Sequence, residues 1–403
     1  MVHPGTLVLI TAAAVIAPLL ADAARRRVRV PQVVFEIVLG ILLGPQVLGW
    51  ARHDQVIDTL SDLGLSMLIF LAGYEIDFAA VRGPTLRRAG AAWLLSLAAA
   101  VAVAFGISGG KPYGAFVIGT ALVSTSLGTV LPILKDGGEL GGRFGTVVSA
   151  FGAVGEFGPI VAVALLLSGR RPGQSAAVLA AFGVITALAV MWALRPRRPW
   201  FSRLVDQTLH SSGQFAVRFV MLLLVGMLAL ASSFGLDVLL GAFAAGVLTR
   251  LVLAGAAPDS REEVLGKVEG MGFGFLVPLF YVDTGIGFNL DALLHGGGAL
   301  LMVPGFLLLF VLLRGGPVHL LAPPDLDRSD RRALALYAAT CLPLVAAITT
   351  IGLDQKVIGS DTAASLVGAA MVSVLVLPLL AGRLRGRGRE QAMPRAAEES
   401  EAW

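Results

Sequence analysis

One glutamate stands deep inside an apolar run. Glu156 sits in AVGEFGPIVAVALLL, roughly eleven residues from either end of a stretch long enough to cross a bilayer. Its side chain cannot snorkel to water from there. Ionisable groups are costly at such depth and are kept for function. A carboxyl so placed is expensive to ionise, so it can trade a proton near neutral pH or hold a small cation in its place. The alternative is a permanently protonated glutamic acid hydrogen-bonded to a neighbour. A second charge, Arg314, lies within LLLFVLLRGGPVHLL. An arginine cannot be neutralised in practice, so inside the membrane it calls for an anionic partner, and Glu156 is available. The alternative is that the apolar run ends at Leu313 and Arg314 is an ordinary flank.

Two other runs combine small polar residues with proline. VSTSLGTVLP, from Val123 to Pro132, carries Ser124, Thr125, Ser126 and Pro132; ATCLPLVAAITT, from Ala339 to Thr350, carries Thr340, Cys341 and Pro343. A backbone that unwinds inside a membrane frees carbonyl and amide groups, and it survives only where it lines a cavity or is otherwise satisfied. Half-helix ends then aim their dipoles at an ion. A plain proline kink repaired by neighbouring hydroxyls is the alternative for either run alone. Two such runs at corresponding positions favour a site.

The remaining embedded charges are less informative. Glu75 and Asp77 close one run beside Arg82, Arg87 and Arg88, as a solvated helix end would. Asp237 opens another run. Glu36 and Asp283 lie deeper and read as structural. Arg218, near the start of its run, reads as a snorkelling flank. No spacing of His, Cys and carboxylates suggests a transition metal. The single cysteine, Cys341, excludes an intramolecular disulfide.

These residues must be positioned by helices in a membrane. Of 403 residues, 56% are hydrophobic and 14% charged, where soluble domains carry about a quarter charged; mean hydropathy is +0.82. Apolar runs fall near 5–24, 31–49, 57–78, 89–109, 112–134, 144–168, 175–194, 214–233, 236–255, 270–290, 298–320, 333–351 and 361–382. The first is followed by Ala21-Asp22-Ala23, as in a cleaved signal peptide, but its arginines come after the run rather than before it, which marks a first span. Lys and Arg segregate between alternate connections: 23 of 31 fall in the odd-numbered ones and the C-terminal segment, 5 in the even-numbered ones, and Arg218, Arg250 and Arg314 within runs. That asymmetry predicts thirteen spans in the cytoplasmic membrane, N-terminus outside and C-terminus in the cytoplasm. It also accounts for the sequence pI near 9.6 without nucleic acid. Six spans (5–168), a connector (175–194) and six more (214–382) suggest two repeats of inverted topology within 1–383, followed by a short tail, 384–403.

Read together, FLAGYEID (Phe70 to Asp77), EIVLGILLGPQVLG (Glu36 to Gly49), STSLGTVLP, GEFGPI and LVPLFYVDTGI resemble the membrane domain of the cation:proton antiporter superfamily. The similar branch holds bacterial sodium/proton exchangers and potassium efflux antiporters. The resemblance covers about 5–382. It implies an all-α, thirteen-helix fold of two inverted six-helix repeats: a panel of spans one to three and eight to ten forming a dimer interface, and a mobile core of spans four to six and eleven to thirteen. Crossed, broken helices five and twelve would meet beside the ion-binding carboxylate, here Glu156, with Arg314 as its charge partner.

The resemblance implies exchange of a monovalent cation for protons by alternating access. Glu156, Ser124, Thr125 and Ser126 would hold the ion, Pro132, Thr340, Cys341 and Pro343 would shape the broken helices, and no cofactor would be needed. Most members carry aspartate at the carboxylate, often after Asn, Asp or Gln; here Gly155 precedes a glutamate. A single acid leans toward one cation per proton, with sodium favoured over potassium. A non-transporting receptor and an organic-anion symporter of the same architecture are the other readings. The segment after the last span carries no G-x-G-x-x-G nucleotide-binding motif.

Overall fold

The computed structural model describes residues 4–25, 31–52, 54–75, 83–136, 138–166, 172–193, 214–295 and 298–400, and its regular structure among them is helical. Ten helices are long and apolar enough to cross a membrane; three shorter apolar helices, Gln32–Leu43, Ala177–Thr186 and Val238–Leu253, bring the apolar segments to the thirteen read from the sequence. Asp77 and Arg82 lie outside the described residues.

Several boundaries differ from the apolar runs, for local reasons. Span two stops at Leu43, because Gly44 through Gly49 turns back on the helix end: the Gly49 amide donates to Gly44 O and the Ala51 amide to Leu43 O. Span ten begins early, at Pro258. Its polar first half carries a Glu263–Lys267 pair of 2.8 Å one turn apart, then passes through a π-helical turn, Gly272–Leu276, into Val277–Ile286. Span twelve starts at Arg328, where Asp327 caps it by accepting the Asp330 amide at 2.6 Å. The final helix runs Ser360–Ser400, so the segment after residue 383 continues the helix of span thirteen.

Two compact units divide the chain. One comprises Met1–Ala23, Phe35–Ile76 and Ile160–Phe288, and so holds spans one, three and seven to ten with most of span two. Small residues let its backbones approach: Gly40 of span two and Gly285 of span ten face one another, and a Cβ on Gly40 would stand 2.9 Å from the Gly285 Cα. Arg250 of span nine donates to Tyr74 O and Glu75 O at the end of span three, at 3.0 and 3.2 Å.

The other unit comprises Ala24–Val34, Asp77–Pro159 and Asn289–Trp403, and holds spans four and five, span six as far as Pro159, and spans eleven to thirteen. Its apolar core joins Val147, Val148 and Phe151 of span six to Leu334, Tyr337 and Ala338 of span twelve. At one end a polar clamp closes it. Arg385, 7% exposed, pairs with Glu139 and donates from Nε to Asp330 at 2.7 Å, while its guanidinium lies 3.7 Å over the Phe144 ring. Ser329 donates to Leu384 O at 2.6 Å beside it. The clamp thus ties the connection before span six, the start of span twelve and the end of span thirteen.

Candidate ion-binding site

Spans five and twelve are both interrupted, each inside this second unit. Span five runs Pro112–Leu122, leaves helical geometry at 123–126 and resumes as Leu127–Asp136. Span twelve runs Arg328–Ala338, opens at 339–342 and resumes as Pro343–Asp354. Pro343 occupies the first helical position, where its missing N–H costs nothing and its fixed φ suits the turn. Pro132 lies inside the second half of span five, past the opening. The serines and threonine therefore mark the first break, and the proline follows it.

The freed backbone groups of the two breaks satisfy one another, as a buried backbone requires. The Ser126 amide donates to Thr340 O at 2.9 Å, and the Thr125 amide donates to Gly155 O of span six at 3.0 Å. Thr125 Oγ1 donates to Ala338 O at 2.6 Å. Beyond the second break, the Cys341 amide donates to Ser373 Oγ at 3.2 Å, and that hydroxyl reaches Cys341 O at 3.0 Å. Ser373 of span thirteen escaped the sequence reading. Its one visible signal was a small polar residue in an apolar run.

Glu156 lies where these pieces converge. It is 2% exposed and takes a 3.1 Å hydrogen bond on Oε2 from the Leu127 amide. Leu127 opens the second half of span five, so the carboxylate faces the positive end of a half-helix, which favours negative charge. Ser126 Oγ and Thr129 Oγ1, 2.9 Å apart, flank the same end, and Ser124 Oγ donates to Ala121 O at 2.8 Å. Thr129 is a further residue that its type alone did not single out.

Arg314 is 0% exposed and belongs to the interior; the helix carries on through it to Leu321. What aims it inward is a π-helical turn, Phe310–Gly315. Phe306, Phe310, Arg314 and Val318 are all buried, spaced by four. In an α-helix each step of four residues overshoots by about 40°, so such a face would wander off. The wider turn absorbs the drift. From there Nε donates to Thr125 Oγ1 at 3.0 Å and Nη2 to Phe151 O at 2.8 Å, and Nη1 is buried without a hydrogen-bond partner.

Span six receives its neighbours through glycines at every third position. A Cβ at Gly152 would stand 2.8 Å from Leu127 Cγ, and one at Gly158 would stand 2.7 Å from Trp93 Cζ2 of span four. At Gly155 it would collide with Arg314 Nη2 and with Thr125 Oγ1, and stand 2.8 Å from Thr125 Cβ. Steps of three rotate by about −60° on a helix, so the three glycines open toward three different neighbours around Glu156.

Of the charges read as structural, Glu36 is 3% and Asp283 8% exposed. Asp237 caps Val238–Leu253 by accepting the Leu239 amide. Arg218 is exposed in the first turn of Phe215–Ser233. Among the described residues no group of three or more His, Cys, Asp or Glu is arranged to hold a metal ion.

Paired interrupted helices around an intramembrane carboxylate define a polytopic membrane protein of the broken-helix kind. The chain belongs to the sodium/hydrogen exchanger family, whose transmembrane region matches residues 11–384. It is 26% identical over 401 residues to the putative Na(+)/H(+) antiporter YjbQ of Bacillus subtilis, covering 95% of this chain and 63% of that protein. It is 25% identical over 272 residues to the Na(+)/H(+)-K(+) antiporter GerN of Bacillus cereus, covering 65% of this chain and 67% of that one. The sodium proton antiporter MjNhaP1 from Methanocaldococcus jannaschii shares the fold: TM-score 0.69 at 16% identity, covering 94% of this chain and 97% of that one. The chain thus spans less than two thirds of the length of the Bacillus subtilis relative.

Proposed function

We propose that the protein exchanges a monovalent cation, sodium by preference, for protons, one for one, with Glu156 as the shared site. The observation that carries this reading is a carboxylate 2% exposed, bonded to the amide that opens a half-helix inside the membrane. A carboxylate there binds either a proton or a cation, and competition between them couples the two fluxes. Ser124, Ser126 and the carbonyls around the two breaks supply oxygens for the cation. Thr125 has its proton committed to Ala338 O and one lone pair to Arg314, so it offers at most one more lone pair. Arg314 balances Glu156 when the site is empty. With one carboxylate and one guanidinium, the site carries the same net charge with a proton or a sodium ion aboard, which suits electroneutral exchange.

Access alternates between the two membrane faces. The Lys and Arg asymmetry of the connections supports a cytoplasmic-membrane protein with its N-terminus outside, and a homodimer is the assembly proposed on the family pattern. Proton flux in proteoliposomes, read with an internal pH dye as sodium, potassium or lithium is added, tests the reading. Sodium-driven flux that disappears in Glu156→Gln is the expected result; potassium-driven flux alone would replace sodium as the cargo, as the name of the Bacillus cereus relative would suggest. A folded wild type that moves no protons with any of the three overturns the reading.

A further inference from the structure

Gly155 immediately precedes the carboxylate, and the space its missing side chain leaves is occupied. Arg314 Nη2 and Thr125 Oγ1 both lie where a Cβ would stand. The guanidinium reaches that place because Nη2 is held on Phe151 O, one turn earlier on the same helix, and Nε on Thr125 Oγ1. Its entry is fixed from the other side by the π-helical turn that carries it. The arginine has no slack to retreat: it is wholly buried, planar and bonded at two points. Close packing makes even one added carbon felt in such a place.

We propose that Gly155 is a positioning residue of the exchange site: its bare Cα admits the Arg314 guanidinium against the turn of span six that carries Glu156, so a side chain at 155 and the arginine at 314 exclude one another. The inference rests on the reading of Glu156 as the exchange site, but the exclusion itself is steric and stands apart from transport. It gives a reason for glycine before the carboxylate here. In this chain a side chain at 155 and the guanidinium would fill one volume against the same turn of span six.

The test is a double-mutant cycle on the purified full-length chain: Gly155→Ala, Arg314→Ala and both together. It is read twice, as thermal unfolding in detergent and as sodium-driven proton flux in proteoliposomes. Gly155→Ala is expected to lower the maximal flux by about tenfold and to change the apparent sodium affinity in the same direction as Arg314→Ala, since both displace the guanidinium. In the Arg314→Ala background the added methyl meets Thr125 but no longer the guanidinium, so the double variant stays within about threefold of Arg314→Ala in flux, and its further fall in melting temperature is smaller than the fall Gly155→Ala causes alone. Losses that multiply, or melting shifts that add, would overturn the proposal and leave Thr125 as the sole reason for the glycine. So would a Gly155→Ala variant with unchanged flux, affinity and melting. A lower maximal flux at unchanged sodium affinity would overturn it too, marking an ordinary packing defect. If the wild type carried no flux, the exchange reading would fail while the melting cycle still decided the exclusion.

Discussion

Replacing Thr125 by valine keeps the shape of the first break and removes its hydroxyl. In the structure that hydroxyl does two jobs: it donates to Ala338 O at 2.6 Å and accepts from Arg314 Nε at 3.0 Å. A neutral buried hydrogen bond contributes about 1 kcal/mol and one to a charged group about 2 kcal/mol, so the loss is about 3 kcal/mol by soluble-protein values. Bonds between membrane helices average about 0.6 kcal/mol, which sets the lower end near 1 kcal/mol for the two. Because Thr125 is 2% exposed, water cannot replace either bond, and the charged member should push the result toward the upper end. Thr125→Ser is the control. It keeps both bonds and loses one methyl, about 0.8 kcal/mol. Denaturant unfolding of the purified protein in mixed micelles, followed by tryptophan fluorescence, measures both variants against wild type. Valine less stable than serine by at least about 1 kcal/mol is expected. Equal stability would refute the reasoning, because it would mean that the hydroxyl does not join the break to Ala338 and Arg314.

The clamp at the end of span thirteen offers another test. Arg385→Ala leaves Glu139, Asp330 and the Phe144 ring without their cation and should cost about 2 kcal/mol, less than a fully buried pair because the carboxylates are partly exposed; thermal unfolding checks it, and Arg385→Lys should recover only part, since an ammonium lacks the fork that serves two carboxylates. At the surface, the Arg143 guanidinium, 2.7 Å away, holds the Asp325 carboxyl below its ordinary value of 3.8. A depressed carboxyl contributes stability above its unfolded value and loses it as pH falls through the folded one. The protein should therefore lose a small increment of stability below about pH 3.8, one that Asp325→Asn removes; an identical acid limb in that variant would rule the pair out as its source.

Much of the architecture could be read from polarity alone. Thirteen apolar runs became thirteen apolar helical segments, because a membrane leaves a chain little choice but helices. Glu156 and Arg314 were visible since a charge within an apolar run is conspicuous whatever packs around it. The interruptions were visible as clusters of hydroxyls, yet their place was harder to read: proline suggested an opening reaching to Pro132, whereas the chain opens at 123–126, where Ser126 N finds Thr340 O. That pairing joins residues more than two hundred positions apart, and no local pattern announces it. Gly155 reads in the sequence as a missing polar residue; in the structure it is space taken by another helix. Ser373 and Trp93 stayed hidden for the same reason, since their partners are set by long-range contact. The span boundaries that moved, at Leu43, Pro258 and Arg328, depend on turns and caps made by polar residues that hydropathy ignores.

The π-helical turn of span eleven also bears on how this protein tolerates insertion and deletion. A π turn holds one residue more than the α turn it replaces, so Phe310–Gly315 contains a residue the helix could lose without breaking. Deleting one position there would leave an unbroken span of similar length and hydropathy. The eight steps from Phe306 to Arg314 would become seven, which on an α-helix turn about 700°, or about −20°, so both would still face inward. A deletion in the α-helical stretch on either side would instead swing the two ends against each other by about 100°, the angle of one residue. The π turn is thus the one place where span eleven could shed a residue and keep its aim, while the stretches flanking it are tied to their residue count.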